Sequence, residues 1–394
     1  MERQFFVLTL FATLSTMSSL MILPYIPLYG REIGMPLSLV GYLIFFYYGS
    51  EAVVRISVGS LADFVGYDIM VVFEGLALFG SSVFYLFSMD SWFMLLVGQV
   101  LLAVGLSVTW VVIPSYVSKV KDSKESLPWY TFSLGVGLLF GAPLGGFIRD
   151  TWGMFRLFEV FLVVSIVMII ISIIFYIYVD EDVISDDKRG SYSFSFLLGS
   201  LINSYEESFS ILFNNKRVLL ASGISFMMFM TVGMSNSLLP IYLSNLGLSS
   251  FLIGLLQTAR VTSSTLVRTQ SQEIVDYLNV SSTLILSISV TGLAIILISS
   301  TSFLTIIVLL SVLWGVGGGL YLPVVFNTIA IHSTVENRDY AMGVRGSLST
   351  VGAAIGVIVF SNLANSSSVA FSLKIFGFVI MLFSVVVIPF RNDL

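Results

Sequence analysis

PLYGREIGMPLSLVG, residues 27–41, returns later in the chain as PIYLSNLGLSSFLIG, residues 240–254. The two stretches start 213 residues apart (240 − 27), and in that register Tyr29 matches Tyr242, Gly34 matches Gly247 and Gly41 matches Gly254. The register runs on without a gap: Arg55 falls on Arg268 and Asp63 on Asp276. So many chemically special matches in one register mark two copies of one unit. Duplicated halves are the build of many secondary transporters, with the substrate site near the bilayer midplane between them.

The rest of the chain fits such a unit. Of its 394 residues 57% are hydrophobic and 10% charged, and the mean hydropathy is +0.99. A soluble domain is about one-quarter charged, so this chain needs lipid as its solvent. Its net charge of −5 offers no basic patch for nucleic acid. Cysteine is absent, which excludes disulfides, thiolate metal sites and thiol nucleophiles. The single histidine, His332, cannot build a histidine metal site. There is no lysine-bearing phosphate loop, and the glycine run WGVGGGLYLP at 314–323 lies inside a span. The expectation is therefore no cofactor, no metal and no enzyme, since no nucleophile, base or metal cluster stands at a span end.

A membrane helix needs about 20 mostly apolar residues. Polar breaks cut the sequence into twelve such spans: 5–29, 38–60, 68–88, 92–117, 127–149 and 155–179, then 217–243, 250–270, 280–299, 303–331, 340–361 and 369–390. They are called spans 1 to 12. The apolar run after MERQ is too long for a signal peptide and reads as span 1. Span 8 is the least apolar, because it contains TARVTSSTLVRTQ.

The polar break divides the chain into an N-terminal six-helix bundle (1–179), a central loop (180–216) and a C-terminal six-helix bundle (217–394). Within the loop, Phe194, Leu197, Leu198, Leu201, Ile202, Tyr205 and Phe209 recur at roughly helical spacing. They fit an amphipathic helix on the membrane surface or a plain solvated linker. One side of the spans holds Arg3, Arg55, Lys119, Lys121, Lys124, Lys188, Arg189, Lys216, Arg217, Arg268, Arg338 and Arg391. The other holds Arg31, Arg149, Arg156 and Lys374. That asymmetry predicts a multi-pass protein of the cell (plasma) membrane with both termini cytoplasmic.

Several segments carry a family resemblance: LPYIPLYGREIGM after span 1, VRISVGSLADFVG between spans 2 and 3, GLLFGAPLGG in span 5, RDTWGMFRLF and ENRDYAMG. With them the sequence resembles the major facilitator superfamily over nearly its full length, and within it the drug/proton antiporter-like exporters. The resemblance implies an all-α integral membrane protein of two pseudo-symmetric six-helix bundles. It also implies a conformational latch: Asp63, at the end of span 2, meets the start of span 11, flanked by Gly59 and Gly66. The family pattern surrounds that aspartate with basic residues, where this sequence has Phe64, Tyr67 and Asp68. Arg55 is the candidate substitute, with Arg338 and Arg345 as alternatives. The span-4 arginine common in the family's exporters falls here on Leu101, with Gln99 the nearest polar residue.

Ionisable residues inside spans are costly and mark sites. Glu51 and Arg55 lie one turn apart on span 2 and can pair. Glu51 is the proton-coupling candidate, or half of a static pair. Glu74 lies in span 3, Glu159 near the end of span 6 and Arg345 in span 11. Midspan Arg260, with Gln257 one turn before it, offers a planar fork for a carboxylate or phosphate, or an interior ion pair. In the family, spans 1, 4, 7 and 10 line the cavity. Here they supply Ser15, Thr16, Ser18, Ser19, Thr109, Trp110, Met230, Asn236, Trp314, Tyr321 and Asn327, and no midspan carboxylate. Methionines and aromatics suit an adaptable apolar pocket. Gly137, Gly141 and Gly145, beside Pro143 in span 5, and Gly352 and Gly356 in span 11, form small-residue faces, expected to serve packing or hinging in the rocking interface.

The function these residues suggest is proton-coupled efflux of small amphipathic compounds by alternating access. An importer or exchanger of small organic anions is the alternative, and a transport-silent sensor or scaffold is a reading of another class. The expected partners are the lipid bilayer, a small-molecule substrate and protons, for a chain working as a monomer.

Overall fold

The computed structural model describes residues 3–119, 123–178, 199, 206–207, 209–334 and 337–390. Among them the secondary structure is helical throughout, without strands. Ten segments are long and apolar enough to cross a membrane. One of these, Pro128–Tyr178, belongs to a helix, Ser123–Tyr178, that turns at Gly153, where φ is +85°, and so supplies spans 5 and 6. Span 8 is the helix Ser250–Arg268, of membrane length but polar on its inward side. The fold is the expected all-α one, with twelve spans in two six-helix groups.

The duplicated register is visible in the backbone. Gly34 and Gly247, 213 residues apart, both have φ +83° (247 − 34). Gly66 and Asn279, again 213 apart (279 − 66), join spans 2 and 3 and spans 8 and 9 with φ +109° and +68°. Glycine and asparagine are the residues that tolerate this region. Span 1 breaks after Ile22 and restarts as Ile26–Glu32 with Pro27 in its first turn, where a proline costs no hydrogen bond. Span 7 breaks likewise, into Lys216–Ser235 and Leu238–Asn245.

Most of the core is apolar packing, but serine and threonine hydroxyls satisfy themselves on carbonyls of their own helix, as Ser18 does on Ser15 and Thr328 on Val324. That satisfies many of the polar residues inside a membrane bundle, although the buried Ser222, Ser225 and Thr291 hydroxyls have no partner among the described residues. Of the proposed amphipathic helix, Phe194, Leu197, Leu198, Leu201, Ile202 and Tyr205 lie outside the described residues.

Candidate functional site

Four spans from both halves converge on one level. The Asn236 amide, at the end of Lys216–Ser235, donates to the Tyr48 hydroxyl of span 2 at 2.9 Å. Next to it, the Gln257 amide of span 8 donates to the Ser235 carbonyl. The Gln257 oxygen in turn accepts from Arg260 Nη2 at 3.0 Å and Nε at 3.3 Å. The Arg260 guanidinium lies 5.5 Å from the ring centre of Trp314 in span 10, a cation–π placement. Arg260 is ten residues into a helix that rises about 1.5 Å per residue, which puts it near midspan.

A second arginine lies on span 11. Arg345 is 8% exposed, and its guanidinium stacks 4.3 Å from the Phe326 ring centre. Its Nε and Nη1 have no hydrogen-bond partner among the described residues. A third, Arg268, donates to the Ser264 hydroxyl at 3.2 Å. The ion pairs among the described residues are Arg55–Glu51, Arg149–Glu32 and Arg156–Glu159, so none of these three arginines has a carboxylate there.

The buried acids among the described residues lie in the N-terminal half. Glu51 is buried and pairs with Arg55 of its own helix at 2.5 Å, joining the two residues that sequence spacing brings together. Glu74 is fully buried. Its carboxyl takes the Ser15 hydroxyl of span 1 and contacts the Thr109 hydroxyl of span 4 at 2.7 and 2.9 Å. Span 4 is wound as a π-helix over Val108–Val112, a winding that recurs at functional sites. Sequence reading named Glu74, Ser15 and Thr109 separately but did not join them, because serine and threonine in a span carry no signature of what they face.

The other cavity candidates scatter. Trp110 is exposed beside Thr109, Tyr321 is buried, Asn327 is exposed, and Met230 is buried against Gly356. Added methyls at Gly137, Gly141 and Gly145 would strike span 1 at Thr16, Met17 and Met21, and one at Gly352 would strike span 7 at Phe226. These faces therefore pack within a half. Contact between the halves falls instead to Gly146 against Ser250, Gly254 against Ala142 and Gly41 against Ser361. Pro143 lacks the amide that would bond the Leu139 carbonyl four residues back; the Thr258 hydroxyl of span 8 takes that carbonyl at 2.9 Å.

Among the described residues, side-chain hydrogen bonds between the halves gather at the end of the bundle far from the termini. Tyr25 donates to the Ala142 and Ser250 carbonyls at 2.5 and 3.2 Å. Arg149 reaches both Glu32 and the Ser250 hydroxyl. Asp150, in the turn between spans 5 and 6, accepts from the Ser250 and Phe251 amides at 2.9 and 2.8 Å, at the N-terminus of span 8. Burial pushes the Asp150 carboxyl up, but those amides with the Ser250 and Ser249 hydroxyls outweigh it and hold the group below its ordinary value. On the opposite side, the Asp63 side chain lies outside the described residues; Gly59 and Gly66 flank it on the helix Leu37–Val65 and its cap. Nearer midspan, Ser347 of span 11 donates to the Ala52 carbonyl of span 2 at 2.8 Å.

The profile of the Major Facilitator Superfamily matches residues 8–232 and 221–393. No curated protein sequence matches the chain. Among solved structures, a mutant of the nucleoside transporter NupG is 14% identical with a TM-score of 0.80, over 98% of this chain and 99% of that one. A POT family transporter in complex with 5-aminolevulinic acid is 14% identical with a TM-score of 0.74, covering 99% of this chain and 95% of that one. A bacterial homolog to the human lysosomal transporter Spinster, inward-facing and unoccupied, is 16% identical with a TM-score of 0.72, over 98% of this chain and 95% of that one. At such identities the likeness is one of fold.

Proposed function

The chain belongs to the major facilitator superfamily, and from that premise we propose that it is a secondary transporter working by alternating access on a small organic anion. The observation that carries the anion is the pair of arginines drawn into the bundle on spans 8 and 11, Arg260 and Arg345, without a carboxylate partner among the described residues; Arg268, also unpaired with a carboxylate there, is exposed. A buried cation is costly unless an anion neutralises it. A substrate carboxylate, sulfonate or phosphate would do so, held by the planar guanidinium fork of Arg260. Trp314 backs that fork, and Asn236 and Gln257 supply polar contacts for orientation.

Proton-coupled efflux of amphipathic compounds is the second reading, supported by the exporter-like GLLFGAPLGG segment and the exposed Trp110. A cationic drug would need an acid free to meet it, whereas Glu51 is held by Arg55 and Glu74 by hydroxyls. Glu51 remains the proposed coupling group of span 2: rocking that parts it from Arg55 would change its hold on a proton. The proposal includes a monomer in the plasma membrane with both termini in the cytoplasm.

The test is flux into proteoliposomes under an imposed pH gradient, with hydrophobic cations and benzenesulfonate added in turn. Benzenesulfonate entry that disappears in Arg260→Ala and persists in Glu51→Gln supports the anion reading. Cation-triggered proton movement that disappears in Glu51→Gln overturns it in favour of efflux.

A further inference from the structure

We propose that the groove at the start of span 6 binds a phospholipid whose headgroup carries a primary amine. The groove is lined by Trp152, Arg156, Glu159, Val160, Val163 and Val164 around an open volume of about 610 Å³. Steps of three and four residues put these side chains on one face of the helix. Arg156 and Val164 are eight residues apart (164 − 156), or about 12 Å along the helix at 1.5 Å per residue. The groove is therefore charged at one end and apolar along the rest, the polarity of a lipid lying against a span. It is separate from the arginines of spans 8 and 11 and does not depend on what they bind.

Charge complementarity selects the headgroup. The Arg156 side chain is 64% exposed and that of Glu159 is 35% exposed. Arg156 Nη1 donates to Glu159 Oε2, but an exposed pair of this kind holds weakly. The guanidinium has further N–H donors and the carboxylate a second acceptor oxygen, so each has room for another partner. A lipid phosphate fits the guanidinium, and a primary ammonium beside that phosphate donates to Glu159. One zwitterionic headgroup supplies both charges at neighbouring positions. A choline headgroup has no N–H to donate, and a glycerol headgroup has no cation for Glu159.

The depth is right for a headgroup. Trp152 precedes the turn at Gly153, at the end of the bundle far from the termini, and Trp92 opens span 4 at that same end. Both rings are exposed, and tryptophans gather at the level of the headgroups. Arg156 lies one turn further in. The Val163 side chain is exposed and continues the groove towards the hydrocarbon. Trp152 is held edge-on by Phe147 at 5.8 Å, and Phe147 meets Phe251 of span 8 at 6.4 Å between ring centres. A lipid seated on Trp152 thus leans on a row of rings that crosses between the halves.

Tryptophan fluorescence of the full chain in vesicles tests this. The vesicles are phosphatidylcholine with the same minor share of phosphatidylethanolamine, phosphatidylcholine or phosphatidylglycerol brominated near the head of the acyl chain. The share of emission that Trp152→Phe removes is the signal. Brominated phosphatidylethanolamine should quench it about two- to fivefold more than the other two, the range an exposed charge pair supports. Glu159→Gln should bring its quenching down to that of phosphatidylcholine, and Arg156→Ala should do the same. Equal quenching by the three lipids means unselective contact with the bilayer and overturns the proposal. Stronger quenching by phosphatidylglycerol also overturns it, in favour of an anionic lipid held by Arg156 alone, and so does a preference for the amine that survives Glu159→Gln. No flux is measured, so a failed transport assay leaves this result unaffected.

Discussion

Spans 2 and 8 are the same element written twice, and they answer one problem differently. At the shared register Arg55 matches Arg268, and Glu51 matches Ser264, 213 residues on (264 − 51). In span 2 the arginine is neutralised by a carboxylate one turn away; in span 8 the same turn offers only a hydroxyl. The exchange of one acid for one serine makes the first half locally balanced and the second cationic. Duplication explains the shared arginine, and divergence at its partner marks where the two halves took different duties.

The largest expected effect separates these two arginines. Arg55→Ala leaves Glu51 buried without its cation, which costs about 3–5 kcal/mol. Arg268 is exposed, so Arg268→Ala removes only a solvent-screened hydrogen bond to Ser264, worth about 1 kcal/mol. The first variant should therefore unfold at a much lower temperature in detergent, and the second near the wild type. Ser264→Glu sharpens the contrast, since it installs the span 2 pair in span 8 and should remove anion transport while the protein stays folded. Equal losses for Arg55→Ala and Arg268→Ala would break the comparison.

The same pair of spans shows what sequence conveys. Span 2 was legible because its apolar run is long. Span 8 was faint because its polar residues face the bundle: Ser263 donates to the Val312 carbonyl, and Arg260 faces Gln257 and Trp314. A hydropathy reading assumes that lipid surrounds a helix, and here protein does. Glycine spacing on span 5 was readable, but its partner, span 1, was not, because spacing states that something approaches and not what. The contacts of Glu74 with Ser15 and Thr109 were hidden for a related reason. Glu74 stands 59 and 35 residues from these partners along the chain, and the π-winding that presents Thr109 leaves no pattern in VTWVV.

An intermediate effect distinguishes the matched glycines Gly41 and Gly254. A methyl on Gly254 meets the Ala142 backbone carbonyl and the Tyr25 hydroxyl, whereas one on Gly41 meets mainly the Ser361 side chain. Backbone yields less readily than side chain, and overpacking costs about 1–3 kcal/mol. Gly254→Ala should open the far end of the bundle more than Gly41→Ala does, read as the distance between spin labels on spans 5 and 8 at that end. A greater opening from Gly41→Ala would place the tighter seam at spans 2 and 11 instead.

The smallest effect concerns the far-end tie itself. Asp150 sits on the N-terminus of span 8, where a carboxylate gains about 0.3–1 kcal/mol from the helix dipole and its free amides. Its amide partners lower the group below the ordinary carboxylate value, so the tie is complete above about pH 4 and weakens as pH falls through the lowered one. Asp150→Asn keeps the shape and removes the charge, so it should loosen the far end slightly at neutral pH and abolish the further loosening on acidification. The readout is thiol labelling of Phe251→Cys, whose cysteine should become more reactive in acid while Asp150 is intact. A pH response that survives Asp150→Asn would show that the acid sensitivity of the seam does not rest on Asp150.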